Sequence, residues 1–173
     1  MLILGLDPGM ATTGFGVIKA EENILEVLDF GLISTDKNGT AANRLVNISK
    51  EVAIVLKKHN PDIVAIERLF FATNAKTAMS VGQALGVMLY TAARAKKEVV
   101  EYAPGTIKKI VAGDGRADKK LVQKSVRKVL GAKVRSKVHA KTHFDNAADA
   151  LAVAICHACH TNAKIRKRIE ERW

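Results

Sequence analysis

The sequence has few of the residues that mark secreted, membrane-spanning or disordered proteins. Its 173 residues include two cysteines and three prolines, and aromatic residues make up 5%. Both cysteines lie in one apolar segment, which leaves no disulfide framework. No apolar run approaches the length of a membrane span, and the first one lacks a basic start and breaks at Asp7. We therefore expect a reduced, cytoplasmic protein that does not bind a membrane.

Acidic residues are also in short supply. The 28 lysines and arginines outnumber the 17 acids and give a net charge of +11. Ten basic residues and one acid, Asp118, lie between Arg116 and Lys141. Such a basic face raises the local concentration of a polyanion, so nucleic acid is the first partner to expect. The 48% apolar content argues against disorder, and the length suits a single α/β domain.

Apolar periodicity predicts a mixed α/β fold. The strand-like segments are 2–7, 13–20, 25–34, 62–67 and 98–102. Helical spacing marks 41–59, 74–96, a short helix from Pro104, 117–130 and 144–160. Short connections between the first three strands, followed by alternating helices and strands, predict a mixed five-stranded sheet with helices on both faces. We assign residues 1–160 to this domain and 161–173 to a basic C-terminal tail.

Two apolar strands each end in one carboxylate, Asp7 and Glu67. In helix 144–160, Asp149 shares a face with Asn146, three residues earlier, and Asp145, four residues earlier, could share it too. Small neighbours, namely Ala147, Ala148, Ala150 and Ala152, would let this helix approach the sheet closely. Oxygen ligands gathered there would repel each other without a cation, and two Mg²⁺ ions about 4 Å apart would suit phosphodiester cleavage. The competing interpretation is three separate acids, each solvated or capping an element.

The segment after Glu67 favours nucleic-acid contact. Phe70 and Phe71 follow this acid in a chain poor in aromatics, and exposed aromatics there could stack on unpaired bases. The alternative is that they are core residues under a loop. Asn74, Thr77 and Ser80, at the start of the next helix, are candidates for binding phosphate. In the basic segment 116–141, the candidate DNA contacts are Arg116, Lys119, Lys120, Lys124, Arg135, Lys137 and Lys141.

These residues together resemble the RuvC family of bacterial Holliday junction resolvases, in the ribonuclease H-like superfamily. The matching blocks span residues 2 to about 160. They are Gly5-Leu6-Asp7-Pro8-Gly9, Ala65-Ile66-Glu67, Phe70 with Asn74-Ala75, Gly82-Gln83-Ala84 with Gly86-Val87, Glu101-Tyr102-Ala103-Pro104 and Ala147-Ala148-Asp149-Ala150-Leu151-Ala152. The resemblance implies a ribonuclease H-like fold, Asp7, Glu67 and Asp149 as metal ligands, and Phe70 as a base-stacking wedge. It also implies that Lys108 and Lys119 lie near the active site, with Lys119 catalytic.

Position 146 departs from the family pattern, which places a further metal-binding acid there and a histidine in some relatives. Asn146 offers one neutral carbonyl oxygen. Three interpretations are open: Asn146 is a natural, weaker ligand; Asp145 or His143 compensates; or an introduced Asp→Asn change blocks cleavage and traps the substrate. We favour the last, because Asp-Asp-Ala-Ala-Asp would be an ordinary family sequence.

The resemblance implies a homodimeric, structure-specific endonuclease that cuts four-way junctions by two symmetric nicks with Mg²⁺, in recombination and repair. It also implies a partnership with the branch-migration helicase complex of RuvA and RuvB. The apolar face of helix 74–96, with Val81, Leu85, Met88 and Leu89, is a candidate dimer interface, unless it simply packs on the sheet. Because of Asn146, the alternative function is a cleavage-deficient junction-binding form. A third possibility is a ribonuclease H-like enzyme that acts on other DNA or RNA.

The segment Cys156-His157-Ala158-Cys159-His160 spells a haem-attachment motif. Haem attachment needs export, and on one helix the two histidines diverge, which disfavours zinc as well. We expect Cys156 to pack in the core and the histidines to lie at the surface.

Overall fold

The computed structural model describes residues 1–68, 75–131 and 140–173, and the side chains of residues 75–77 and 140–146 lie outside that description. The elements are β1 (Leu2–Asp7), β2 (Thr12–Glu21), β3 (Ile24–Ser34), α1 (Ala41–His59), β4 (Ile63–Glu67), α2 (Ala75–Arg94), β5 (Glu98–Tyr102), α3 (Pro104–Ala112), α4 (Lys119–Leu130), α5 (Ala140–Thr161) and α6 (Ala163–Glu170). The strand order is β3-β2-β1-β4-β5. The first three strands pair antiparallel, whereas β4 runs parallel to β1 and β5 parallel to β4. The predicted mixed five-stranded sheet is confirmed.

Local capping explains where the helices begin and end. The Thr40 side chain accepts a hydrogen bond from the Asn43 backbone N–H at 3.2 Å, which starts α1. The helix ends at Asn60, which is left-handed (φ 45°) and precedes a proline. The Asp118 side chain accepts from the Leu121 N–H at 2.7 Å, so α4 begins at Lys119 rather than at the predicted residue 117.

Alternation along the strands divides the core between the two faces of the sheet. Leu4 and Leu6 of β1 are fully buried on the face covered by α1 and α2. Ile3 is fully buried on the other face, which α3, α4, α5 and α6 cover. Because side chains alternate along a strand, Asp7 projects on the same face as Ile3. The acid at the end of β1 therefore points toward the side of the sheet that carries α5.

The structure corrects part of the predicted dimer interface. Met88 of α2 is fully buried in the core that also holds Leu6, so it packs on the sheet and is not available to a partner. Leu85 and Leu89 pack against the same core, and Val81 is half-buried. The expectation for Met88 was wrong because helical spacing shows which residues share a face but not what covers that face.

Residues 161–173, predicted as a basic tail, contain α6. The Asn162 side chain accepts from the backbone N–H groups of Lys164 and Ile165 and so caps this helix. Ile165 and Ile169 are almost fully buried against the α5 side of the core. The Arg172 guanidinium donates to the Lys128 carbonyl at 2.7 Å, which ties the end of the chain to α4. Among the helices described, none is long and apolar enough to cross a membrane.

Candidate active site

Asp7 and Glu67 lie side by side at one edge of the sheet. The strands β1 and β4 are parallel and pair Leu6 with Ile66, and each acid is the next residue in its strand. Both therefore leave the sheet at the same edge and on the same face. Their side chains share a hydrogen bond that lowers the pKa of Asp7 and raises that of Glu67. Because the bond raises the pKa of Glu67, Glu67 carries the shared proton and donates it to the Asp7 carboxylate.

Burial and mutual repulsion make both carboxyl groups hard to ionise. Burial, and then the charge of Asp149, raise the pKa of Asp7 from 3.8 to about 6. Burial, and then the charges of Asp7 and Asp149, raise the pKa of Glu67 from 4.5 to about 8. Such raised values are the mark of acidic groups that are held together without a counter-ion.

The third acid, Asp149, comes from α5, which approaches the sheet closely because glycines face it. A Cβ on Gly5 would lie 2.9 Å from the Ala154 backbone nitrogen, closer than real Cβ atoms come. A Cβ on Gly16 would lie 2.6 Å from Leu151 Cδ2. The alanines predicted to permit close approach are buried, and Asp149 is half-buried at the edge of the contact. Its charge acts on both Asp7 and Glu67, so the helix delivers it within electrostatic reach of the pair.

Two lysines supply positive charge to this cluster from different helices. Lys119, the first residue of α4, places its Nζ 3.3 Å from Asp149 Oδ2, and its charge also lowers the pKa of Asp7. Lys108 of α3 is half-buried, and its charge lowers the pKa of Glu67. Both lysines therefore act on the acids, as the resemblance implies, although neither offsets the effect of burial.

The donor set fits a hard divalent cation. Asp7, Glu67 and Asp149 offer carboxylate oxygens, the ligands that Mg²⁺ prefers, and a cation would relieve the repulsion that raises two of the pKa values. In the parts of the chain that the structure describes, no three acidic, histidine or cysteine side chains are grouped closely enough to hold an ion as they stand. Asp149 is instead paired with Lys119.

Several predicted site residues lie outside the described residues or side chains. His143, Asp145 and Asn146 belong to the first part of α5, where side chains are not described. The same holds for the side chains of Thr77 and Lys141, and for Phe70, Phe71, Asn74, Arg135 and Lys137 altogether. The roles predicted for them stay predictions.

The described candidates for DNA contact differ in exposure. Ser80 on α2 is half-buried. The basic residues are exposed at the start of α4 and just before it, namely Arg116, Lys119, Lys120 and Lys124. On the inner face of α4, Val122 and Val126 are buried. The helix is therefore amphipathic, as predicted, with a basic outer surface close to the acids that Lys119 contacts.

Sequence reasoning missed a buried polar pair behind the acids. Tyr102 is opposite Glu67 in the β4–β5 register, and its hydroxyl lies 2.8 Å from His157 Nδ1. His157 is 4% exposed, so its predicted surface position was wrong, whereas His160 is exposed as expected. Burial raises the pKa of Cys156 to about 12, which keeps its thiol protonated and unsuited to bind metal. A histidine in an otherwise apolar helix was the available signal, but its hydroxyl partner lies 55 residues away.

Comparison with known proteins identifies the arrangement. A sequence model of the family described as "Crossover junction endodeoxyribonuclease RuvC" matches residues 3–157. A protein of that description from Alkaliphilus oremlandii is 48% identical over 162 residues, covering 93% of this chain and 94% of the relative. One from Natranaerobius thermophilus is 44% identical over 158 residues, covering 91% of this chain and 94% of the relative.

Solved structures agree with the sequence relatives. The chain is similar to the Thermus thermophilus RuvC structure, with a TM-score of 0.79, 34% identity and coverage of 93% of this chain and 95% of the other. It is also similar to T. thermophilus RuvC in complex with Holliday junction substrate, with a TM-score of 0.81, 32% identity and coverage of 95% and 97%. The family resemblance read from the sequence is confirmed, and with it the ribonuclease H-like fold class.

Proposed function

The chain belongs to the RuvC family of crossover junction endodeoxyribonucleases, and we propose that it cuts four-way DNA junctions by paired symmetric nicks at the Asp7–Glu67–Asp149 cluster. The observation that carries the proposal is the pair of strand-end carboxyl groups that share one proton within reach of Asp149. A nuclease that uses a divalent cation needs such a concentration of acidic oxygens, whereas a protein that only binds DNA gains nothing from it.

In this proposal Asp7, Glu67 and Asp149 hold two Mg²⁺ ions, with Asn146 as a neutral fourth ligand. The bound ions activate a water molecule and stabilise the leaving oxygen of the phosphodiester. Glu67 must give up the proton it shares with Asp7 when its oxygens become ligands, so binding of the cation releases a proton. Asp149 must likewise leave its 3.3 Å contact with Lys119.

Once released, Lys119 is a free cation at the edge of the site. Because its Nζ already lies beside the acids, it can hold the non-bridging oxygens of the phosphate that is cut. Lys108 approaches from the side of Glu67 and carries a second positive charge. The exposed basic surface of α4 would then follow a DNA arm, which supports strongly salt-dependent binding.

Two symmetric nicks require two active sites, and we propose a homodimer formed through an exposed stripe on α2. Met79, Gln83, Gly86 and Tyr90 follow at intervals of four, three and four residues, which places them on one helix face. Met79 is 77% exposed and Tyr90 61%, both large for apolar side chains on a helix. A Cβ on Gly86 would meet nothing within 4 Å, so a partner helix can come close there. The family resemblance further supports a partnership with RuvA and RuvB.

The alternative of a cleavage-deficient junction-binding form finds no support in the comparisons, and the protein is assigned as an enzyme. Replacing Asn146 with aspartate tests what remains of it. If the asparagine blocks cleavage, Asn146→Asp should raise the rate of nicking in Mg²⁺ by a factor of about ten or more. If Asn146→Asp nicks no faster than the natural sequence, the asparagine is a working ligand.

A competition assay tests the substrate. Labelled four-way junction, duplex DNA and an RNA–DNA hybrid are each incubated with the protein and Mg²⁺, and the products are resolved by strand. The proposal predicts nicks at symmetric positions in opposite strands of the junction and little cutting of the other two. Preferred cutting of the hybrid would instead identify a ribonuclease H-like enzyme that acts on other nucleic acids.

A further inference from the structure

A basic groove leads away from the candidate active site on the α3 side. It has a volume of about 720 Å³. The N-terminal turn of α3, the following helical residues, Gly115, the end of α5 and the start of α6 line it. We name it the α3–α6 groove and define it by Thr106, Lys108, Lys109, His160 and Arg166.

The groove gathers positive charge from separate elements. Lys108 and Lys109 come from α3 and Arg166 from α6, and none of the described residues that line the groove is acidic. Arg166 donates to Glu170 Oε1 at 2.8 Å, one turn along its own helix. Both partners of that pair are well exposed, so the pair is weak and Arg166 remains able to bind another anion. Cations held around a concave surface focus a positive potential into it.

The wall of the groove is also suited to oxyanions. Pro104 is at the start of α3, and no side chain caps the first turn of this helix. The backbone N–H groups and partial positive charge of a helix N-terminus favour anions. His160 is held in place because its Nδ1 donates to the Cys156 carbonyl at 3.1 Å and its ring lies 4.9 Å from that of Tyr102. The lining is therefore cationic and ordered.

Continuity with the active site identifies the occupant. Lys108 lines the groove and also acts electrostatically on Glu67, so one end of the groove adjoins the acids. A DNA strand with one phosphate at those acids has further phosphates at intervals of about 3.4 Å of helix rise. Because Lys119 lies on the Asp149 side of the cluster and Lys108 on the Glu67 side, the groove extends a path distinct from the basic surface of α4.

We propose that the α3–α6 groove binds the sugar–phosphate backbone of a junction arm beside the cleavage point, with Lys109 and Arg166 contacting phosphates. The inference rests on the proposed nuclease function and adds a second basic track to it. Lys109 and Arg166 position the arm and do not touch the reacting phosphate. Their loss should therefore weaken binding for every sequence and leave the rate of the bound complex unchanged.

The test compares two double variants with equal charge loss. Lys109→Ala with Arg166→Ala removes the groove contacts, and Lys57→Ala with Lys167→Ala removes two exposed cations that do not line the groove. Junction affinity is measured by fluorescence anisotropy without Mg²⁺ over a range of salt concentrations. The groove variant should lose about 0.9 from the salt slope for each phosphate contact, or about 2 in all, and bind more than about tenfold more weakly near 0.1 M salt.

A salt slope and affinity equal to those of the Lys57/Lys167 control would overturn the groove assignment. Thermal unfolding of each variant checks the fold, and Lys109→Gln with Arg166→Gln replaces the alanine pair if that variant unfolds early. Nicking by saturating protein in Mg²⁺ is a separate readout and should match the unmodified chain. If the unmodified chain binds the junction but does not nick it, the nuclease function fails, whereas the groove is still decided by the salt slopes.

Discussion

Replacing Glu67 by glutamine tests the electrostatics of the paired acids without removing a hydrogen-bond donor. The glutamine amide can still donate to the Asp7 carboxylate, as the protonated Glu67 does in the metal-free protein. It cannot ionise, however. The substitution therefore removes the cost of a second negative charge next to Asp7 and keeps the shape of the site.

The sign of the effect follows from the pKa of Glu67, which is raised from 4.5 to about 8 in the folded chain. Between these values the folded state holds a proton that the unfolded chain has lost, so stability falls as pH rises from 4.5 to about 8 and then levels off. Each pH unit costs up to about 1.4 kcal/mol, or up to about 4 kcal/mol from pH 5 to pH 8. Solvent screening at this half-buried group lowers the expected range to about 2–4 kcal/mol.

Urea denaturation in EDTA at pH 5 and pH 8.5 measures this difference. Glu67→Gln should gain about 2–4 kcal/mol relative to the unmodified chain between the two pH values. Glu171→Gln, at an exposed helix end, should show no such gain. Mg²⁺ at pH 8 should stabilise the unmodified chain and stabilise Glu67→Gln much less. The reasoning is refuted if the unmodified chain and Glu67→Gln lose stability in parallel between pH 5 and pH 8.5.

Three further substitutions probe the packing, the catalytic lysine and the dimer. Gly5→Ala should cost about 1–3 kcal/mol in urea denaturation, because its Cβ would lie 2.9 Å from the Ala154 nitrogen, and a cost below that of Gly105→Ala would contradict the close approach of α5. Lys119→Gln should lower the nicking rate of saturated junction by about 10²-fold, and an equal loss in Lys124→Gln would assign both lysines to general binding instead. Tyr90→Glu should convert the dimer to a monomer in analytical ultracentrifugation while Tyr90→Phe stays dimeric, and a dimeric Tyr90→Glu would exclude the α2 stripe.

The sequence predicts the elements well wherever a local signal marks them. The α1 bounds of 41–59 agree with the structure because Thr40 and Asn60 cap that helix, and β1 ends at Asp7 as predicted. Helix α6 escaped prediction because its apolar content is two isoleucines, Ile165 and Ile169, among charged residues. That spacing is too sparse to distinguish a short packed helix from a solvated tail.

The site was predictable in its members but not in its pairings. Strand ends and small helical residues indicate that Asp7, Glu67 and Asp149 meet, since parallel strands deliver their C-terminal residues to one edge. The contact between Lys119 and Asp149 depends on how α4 is set against α5. The burial of Met88 and His157 likewise depends on tertiary packing. Periodicity within one element carries no information about its neighbour in space.

The most direct measurement of the central claim is the cleavage of a strand-labelled four-way junction by the unmodified chain and by Asp7→Asn. In Mg²⁺ the unmodified chain should make two nicks at symmetric positions, and EDTA should stop them. Asp7→Asn should bind the junction at least as tightly, since it removes a negative charge, and should nick it at least about 10³-fold more slowly. Nicking by Asp7→Asn at the rate of the unmodified chain would contradict an active site centred on the carboxylate at the end of β1.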